Sequence, residues 1–239
     1  MLKAENLSCR FGDQWALREM NFDIAAGEVQ CLLGANGAGK TTTINLFLGF
    51  LEPTSGIAWV NGRQVSSDPQ SARAHLAFVP EQVSLYPTMT GLENLAYFTR
   101  LAGKPAHDRA RLQEFLGSVG LTSEAADSRV ERYSKGMRQK VGLAIALAKD
   151  ARALLLDEPL SGLDLRAANE FCALLRKLAA ADIAILMATH DLFRAREVAS
   201  RIGIMKSGRL LENVAAEDVT HAQLERIYLD HMDGSEAAC

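Results

Sequence analysis

The chain has 239 residues, of which 48% are hydrophobic, and a formal net charge of −3. This length is sufficient for a sizeable core in one or two subdomains. The charge balance gives no electrostatic footprint for nucleic acid, so no nucleic-acid partner is expected. No apolar run approaches a membrane span, and the N-terminus lacks the apolar region of a signal peptide, so we expect a soluble, cytoplasmic protein.

The four cysteines have no paired spacing. They are Cys9, Cys31, Cys172 and Cys239. We expect free, buried thiols in a reducing compartment rather than a disulfide framework or a zinc site.

The first 33 residues have the pattern of short strands with turns. Phe22 and Ile24 alternate with polar neighbours, and the apolar run from Val29 to Leu33 predicts a buried strand. Phe11 precedes a Gly-Asp turn. An aromatic ring at this point either joins the core or stacks on a purine base, and without further context the core is favoured.

The segment from Gly34 to Thr41, GANGAGKT, fits the phosphate-binding pattern G-x-x-x-x-G-K-[ST] between the buried strand and a helical apolar pattern. Its glycines let backbone N–H groups point at a phosphate chain, and the helix that follows adds its positive N-terminal end. Lys40 is expected to reach the β- and γ-phosphates, and the Thr41 hydroxyl to bind Mg²⁺. The residues predicted to bind the nucleotide here are Gly34, Ala35, Asn36, Gly37, Ala38, Gly39, Lys40, Thr41 and Thr42.

Beyond a helix over 40–50, two further strands are predicted. Ile57 to Val60 ends at Asn61-Gly62, a strong hairpin signal, and Leu76 to Val79 is stopped by a proline.

From about 85 to 149 the pattern is helical. Thr90 and Glu93 have the spacing of a capping box, a second helix covers about 107–119, and a third begins at Ser134. This block interrupts the alternation of strands and helices, so we interpret it as an inserted helical subdomain.

The alternation then resumes. Strands are predicted over Ala153 to Leu156 and Ile183 to Ala188, with a helix over 166–180 between them. Continuous apolar strands between helices indicate an α/β fold with a parallel sheet covered on both faces. Residues 201–211 predict a terminal hairpin, and the tail over 233–239 is expected to be frayed.

Polar side chains follow two of these buried strands. Asp157 and Glu158 end one strand, and His190 ends the next. Because the carboxyl ends of parallel strands face the ligand crevice, these groups are expected beside the phosphate loop. Asp157 is suited to support Mg²⁺, Glu158 to polarise an attacking water as general base, and His190 to contact the γ-phosphate.

The order of these motifs resembles that of the ATP-binding subunits of ABC transporters, from about residue 2 to 211. Tyr133-Ser134-Lys135-Gly136-Met137 resembles the family's signature LSGGQ. Ser161-Gly162-Leu163-Asp164 resembles the D-loop, and Thr189-His190-Asp191 the switch-histidine segment. The segment from Val83 to Asn94 resembles the region that receives the coupling helix of the membrane subunit.

The resemblance implies a P-loop NTPase core of the RecA-like type with an N-terminal antiparallel β subdomain and an inserted helical subdomain. The implied divisions of this single ABC ATPase domain are 1–82 and 150–212 for the ATP-binding core with its β subdomain, 83–149 for the helical subdomain with the signature, and 213–239 for a short C-terminal helix and tail.

It also implies that ATP and Mg²⁺ are bound between two such subunits at the cytoplasmic face of the inner (plasma) membrane. Ser134 and Gly136 of one chain would contact the γ-phosphate held by Lys40 of the other, and Asp164 would join the same nucleotide site. Phe11 matches the family's base-stacking aromatic, so the resemblance favours stacking on the base over a place in the core. Integral membrane permease subunits are the implied partners.

Three departures from the family pattern stand out. Lys135 replaces a glycine of the signature, and Met137 replaces its glutamine. The glutamine of the Q-loop falls on Glu81, with Gln82 one residue later, and either is a candidate to sense Mg²⁺ and couple to the membrane partner.

The motif style is most like the ABC-2 exporter branch. Because Glu158, His190, Ser134 and Gly136 are all present, a homodimer is favoured over pairing with a different ATPase subunit. The alternative is a soluble ABC-type ATPase acting on ribosomes or DNA, although the chain has one cassette and no sustained heptads. An ATP-binding regulator without turnover would require a missing catalytic group, and Glu158 argues against it.

Overall fold

The computed structural model describes residues 1–233, and their strands form two sheets. The frayed tail was predicted over 233–239; Asp233 instead ends the last helix, and the remaining residues, including Cys239, lie outside the described residues. The strands are β1 (Leu2–Phe11), β2 (Gln14–Ile24), β3 (Val29–Leu33), β4 (Ser55–Val60), β5 (Arg63–Gln64), β6 (Leu76–Val79), β7 (Ala153–Asp157), β8 (Ala184–Thr189), β9 (Arg201–Lys206) and β10 (Arg209–Ala215). The helices are α1 (Lys40–Phe47), α2 (Pro69–Ala74), α3 (Gly91–Leu101), α4 (Arg109–Ser118), α5 (Ser123–Asp127), α6 (Lys135–Ala148), α7 (Leu165–Ala179), α8 (Leu192–Val198) and α9 (His221–Asp233).

The larger sheet has the strand order β10-β9-β3-β8-β7-β6, and all its neighbours are parallel except the edge pair β10 and β9. The central strand β3 is buried along its whole length. Its side chains alternate between two cores, with Cys31 and Leu33 in one and Leu32 in the other. The prediction of a parallel sheet covered on both faces is therefore confirmed.

The smaller sheet is antiparallel, with the strand order β2-β1-β4-β5. Its core side chains pack with α1 and with one face of the larger sheet. Asn61 and Gly62 have φ of 50° and 73° between β4 and β5, so the predicted hairpin forms with the residue types that tolerate positive φ. This sheet is the predicted N-terminal β subdomain.

Helices α3, α4, α5 and α6 form the block predicted over 83–149. The Thr90 hydroxyl accepts from the Glu93 N–H, and the Glu93 carboxylate accepts from the Thr90 N–H, so the capping box is confirmed. Helix α1 ends before residue 50 because Gly49 adopts a left-handed φ of 65°. The short helices α2, α5 and α8 were not predicted.

The C-terminal part differs from the predicted division. Strand β10 continues to Ala215, past the boundary at 212, because its backbone stays paired with β9 as far as Arg201.

None of the helices within 1–233 combines the length and apolarity needed to cross a membrane. The three described cysteines, Cys9, Cys31 and Cys172, are free and buried, as expected.

Candidate functional site

The phosphate loop lies between β3 and α1, and its shape depends on two glycines with positive φ. Gly37 has φ 82°, and Gly39, the N-cap of α1, has φ 105°. A Cβ atom on Gly39 would lie 2.6 Å from the Ala16 carbonyl oxygen, so only glycine fits against the small sheet. The N-terminal end of α1 is thereby left facing the loop, which is the arrangement that binds anions.

Lys40 is the first residue of α1, and its side chain is only 6% exposed. Its Nζ donates to the carbonyl oxygens of Gly34 and Ala35, at 2.6 and 3.2 Å. The same atom lies 3.5 Å from Glu158 Oε1. A buried positive charge is therefore held at the centre of the loop, where a phosphate chain would lie.

Glu158 follows β7 with a φ of 47°, a left-handed conformation that costs about 1–2 kcal/mol for a residue with a Cβ. Its N–H donates to the Ala188 carbonyl of the neighbouring strand, which helps to hold this backbone. Its Oε2 lies 2.9 Å from His190 Nδ1. Oε1 is buried and has no hydrogen-bond partner among the described residues beyond the ion-pair contact with Lys40. Strain at such a position is typical of functional sites, and Oε1, which accepts no hydrogen bond, is available to take a proton from a bound water.

Asp157, the last residue of β7, accepts a hydrogen bond from Thr41 Oγ1 to its Oδ2 at 2.9 Å. Burial raises the pKa of the Asp157 carboxyl, and the nearby charge of Glu158 adds to this, while the Thr41 hydrogen bond and Lys40 oppose it. One carboxylate and one hydroxyl oxygen fit Mg²⁺, which takes its other ligands from water and phosphate oxygens.

These groups line a cleft of about 320 Å³. Phe11, at the end of β1, is 52% exposed there and not in the core, which fits the base-stacking interpretation. Trp15 lines the cleft beside it, with the guanidinium groups of Arg10 and Arg18 5.5 and 5.8 Å from the ring centroid. The sequence interpretation missed Trp15, although it lies only four residues beyond Phe11 across a two-residue turn. The lining residues are Phe11, Gln14, Trp15, Ala16, Ala35, Asn36, Gly37, Ala38, Gly39, Lys40, Thr41, Thr42, Asp157 and Glu158.

The signature residues lie elsewhere. Ser134 caps α6 by accepting from the Met137 N–H, and Gly136 packs against Leu163 and Ala167 of the loop and helix after β7. The Asp164 carboxylate caps α7 by accepting from the Ala167 N–H. Ser134, Gly136 and Asp164 line one surface recess, which shares no residue with the cleft. Within one chain, these predicted nucleotide-binding residues are therefore separate from the phosphate loop.

Glu81 and Gln82 point to different surroundings. Glu81 pairs with Lys135 at 3.3 Å, and the nearby Ser161 hydroxyl together with this lysine holds the pKa of its carboxyl below the ordinary value. Its negative charge also contributes to the raised pKa of the Asp157 carboxyl. Gln82 instead lines a groove with Val83 and Leu85. These two neighbours belong to the segment predicted to receive the membrane subunit.

The fold and the cleft define a P-loop nucleoside triphosphatase. The family model "ABC transporter" matches residues 17–161, and the chain belongs to this family. It is the ATP-hydrolysing subunit of an ABC transporter and uses ATP with Mg²⁺.

Three relatives illustrate the similarity. The Nod factor export ATP-binding protein I of Burkholderia lata is 36% identical over 92% of this chain and 71% of its own length. The linearmycin resistance ATP-binding protein LnrL of Bacillus subtilis is 32% identical over 88% and 68%. A dimeric ATP-binding cassette, MJ0796 bound to ADP and Pi, superimposes with a TM-score of 0.79 at 27% identity, covering 90% of this chain and 99% of that one. The alternative of a soluble ATPase acting on ribosomes or DNA is not favoured by these relatives.

Proposed function

We propose that two copies of this chain bind two ATP molecules between them and drive an export permease from the cytoplasmic face of the membrane, as a peripheral homodimer. The observation that carries this is the separation of the cleft from the signature recess on the surface of one chain. Each recess carries a helix N-terminus led by Ser134, which is suited to a γ-phosphate presented by a facing copy.

Within each site, Lys40 binds the β- and γ-phosphates, and Thr41 with Asp157 holds Mg²⁺. Bound Mg²⁺ neutralises the charge of the phosphate oxygens. Glu158 accepts the proton of the attacking water through Oε1, the oxygen that lacks a hydrogen-bond partner, and His190 fixes the other oxygen. Phe11 stacks on the base.

Glu81, rather than Gln82, is proposed as the residue of the Q-loop that senses the nucleotide. Support comes from the ion pair of Glu81 with Lys135 at the start of the signature helix and from the effect of its charge on the pKa of Asp157. Gln82 faces the groove with Leu85, where contact with the permease is proposed. The direction of transport is proposed because one relative is a Nod factor export protein and because the motif style is that of exporters.

The test is to tag the protein, solubilise native membranes gently and identify what co-purifies. We expect a multi-span membrane protein in equal amount that stimulates ATP hydrolysis. Tyr86 is an exposed aromatic residue in the segment beside the groove. A Tyr86→Glu variant should no longer co-purify with the membrane protein but should bind ATP normally. Phe50→Glu, at an exposed ring outside that segment, is the matched control and should retain it. Recovery only from the soluble fraction, with ribosomes or DNA factors, would overturn the proposal.

A further inference from the structure

Two of the positions that depart from the family pattern meet in space. Lys135, the first residue of α6, places its Nζ 3.3 Å from Oε1 of Glu81, which follows β6. The two residues are 54 positions apart in the chain. One departure introduces a positive charge in place of glycine and the other a negative charge in place of glutamine, so the two changes compensate each other electrostatically.

A third segment completes this cluster. The Ser161 side chain, in the loop after Glu158, lies close enough to the Glu81 carboxylate to lower its pKa. Gly162 has φ 64°, and a Cβ atom there would touch Lys135 Nζ at 3.7 Å, so the lysine side chain lies against this loop. Lys135 thus joins the Glu81 carboxylate to the loop that leaves the catalytic strand.

The backbone of the segment that carries Glu81 is held by a different residue. Gln139, one turn further along α6, is 1% exposed and donates through Nε2 to the carbonyl oxygens of Pro80 and Glu81, at 3.1 and 2.9 Å. Gln139 therefore fixes the path of the chain. What remains for Lys135 to fix is the direction and the charge of the Glu81 side chain.

We propose that Lys135 is a positioning residue for ATP binding, which holds the Glu81 carboxylate against Ser161 and cancels its charge beside the phosphates. The inference rests on the proposed role of Glu81. Without Lys135, an unpaired carboxylate near Asp157 and His190 adds negative charge where a polyphosphate must bind. Lys135 acts through Glu81 and is not itself the ligand of the nucleotide in its own chain.

A double-mutant cycle tests this in a Glu158→Gln background, with the dissociation constant of Mg²⁺·ATP measured by calorimetry. Lys135→Met should weaken ATP binding about two- to fivefold, the range of a partly exposed ion pair. In the presence of Glu81→Gln, the same substitution should change the constant by less than about 1.5-fold, since no carboxylate is left to release. Lys135→Arg, which keeps the positive charge, should restore binding.

An equal loss from Lys135→Met in both backgrounds would overturn the proposal, as would Lys135→Arg behaving like Lys135→Met. Arg111 and Glu114 on α4 form a comparable exposed pair at 2.7 Å outside the cleft, and their double replacement by Met and Gln is the matched control. The proposed function is tested by a different measurement. It would be contradicted if the mass of the Glu158→Gln protein in solution did not change in saturating ATP. The two failures are therefore distinguishable.

Discussion

Two helix N-termini in this chain are proposed to bind phosphate, and they differ in how complete their surroundings are. At α1, the phosphate loop already contains a buried cation, Lys40, and lies beside Asp157 and Glu158 in a cleft. At α6, Ser134 and Gly136 lie in a surface recess that contains neither the loop nor the catalytic carboxylate. One terminus is part of a nearly complete site, and the other is a half-site.

The difference explains how one chain can hold ATP without committing to its hydrolysis. The α1 side has the groups that bind phosphates and orient water, so it needs only the nucleotide. Under the proposed function, the α6 side binds a γ-phosphate only when a second copy presents one to it. We therefore expect nucleotide affinity to depend mainly on the α1 region and dimerisation mainly on the α6 region. Substitutions in each region should separate these two properties.

The largest effect is expected at the α1 side, from Glu158→Gln. Because the amide cannot accept the proton of the attacking water, hydrolysis should fall by about 10²- to 10⁴-fold, as measured by phosphate release. ATP affinity should not fall below that of the unchanged protein, because the substitution removes a negative charge from the cleft, and this is the internal control. Near-normal turnover would eliminate Glu158 as the general base.

At the α6 side, Ser134→Arg should leave ATP binding by the single chain intact but raise the ATP concentration needed for dimerisation at least about tenfold. The bulky side chain would occupy the recess in which the γ-phosphate of the facing copy is expected. Light scattering in the Glu158→Gln background measures this. Thr122→Arg, which removes the comparable N-cap of α5, should have no such effect, and equal effects of the two variants would contradict the half-site interpretation.

The third change tests how the base of ATP is held beside α1. Phe11→Ala should weaken ATP binding by about 1 kcal/mol, or roughly fivefold, through loss of stacking on the base. Binding of inorganic triphosphate, which has no base, should be unaffected. Phe50→Ala removes another exposed ring that does not line the cleft and serves as the control. An equal loss for ATP and triphosphate would show that Phe11 acts on the loop and not on the base.

The smallest effect concerns Asp157, whose pKa is raised mainly by burial. Ionised Asp157 therefore lowers the stability of the ligand-free protein at neutral pH, and Asp157→Asn should raise its Tm by about 1–3 °C. The gain should vanish at pH values below the ordinary range of an Asp carboxyl, because the original side chain is then neutral as well.

Stabilisation by Mg²⁺·ATP should be lost in the same variant. Asp23→Asn, at an exposed position of β2, is the control and should leave both properties unchanged. A lower Tm for Asp157→Asn would contradict the assigned cost of burying this carboxylate.

Most of the fold could be predicted because the buried strands are continuous apolar runs with clear stops. Leu76 to Val79 was predicted with the bounds observed, and the hairpin at Asn61-Gly62 followed from turn chemistry. Helices α2, α5 and α8 were missed because segments of five to seven residues are too short to show a helical period.

The candidate site was predictable where a motif fixes local geometry, and less so where contacts are long-range. The phosphate loop, Asp157 and Glu158 converge as expected. The choice between Glu81 and Gln82 could not be made from sequence, because adjacent residues in a loop can face opposite sides. The pairing of Lys135 with Glu81 depends on how α6 packs beside β6, which no local pattern encodes.

The most direct test of the two-copy site is the mass of the Glu158→Gln protein in solution, measured by light scattering with Mg²⁺·ATP and with Mg²⁺·ADP. We expect the mass of two chains in ATP and of one chain in ADP, because only ATP supplies a γ-phosphate to the recess at Ser134. A single-chain mass in saturating ATP, with nucleotide binding verified in the same sample, would contradict it.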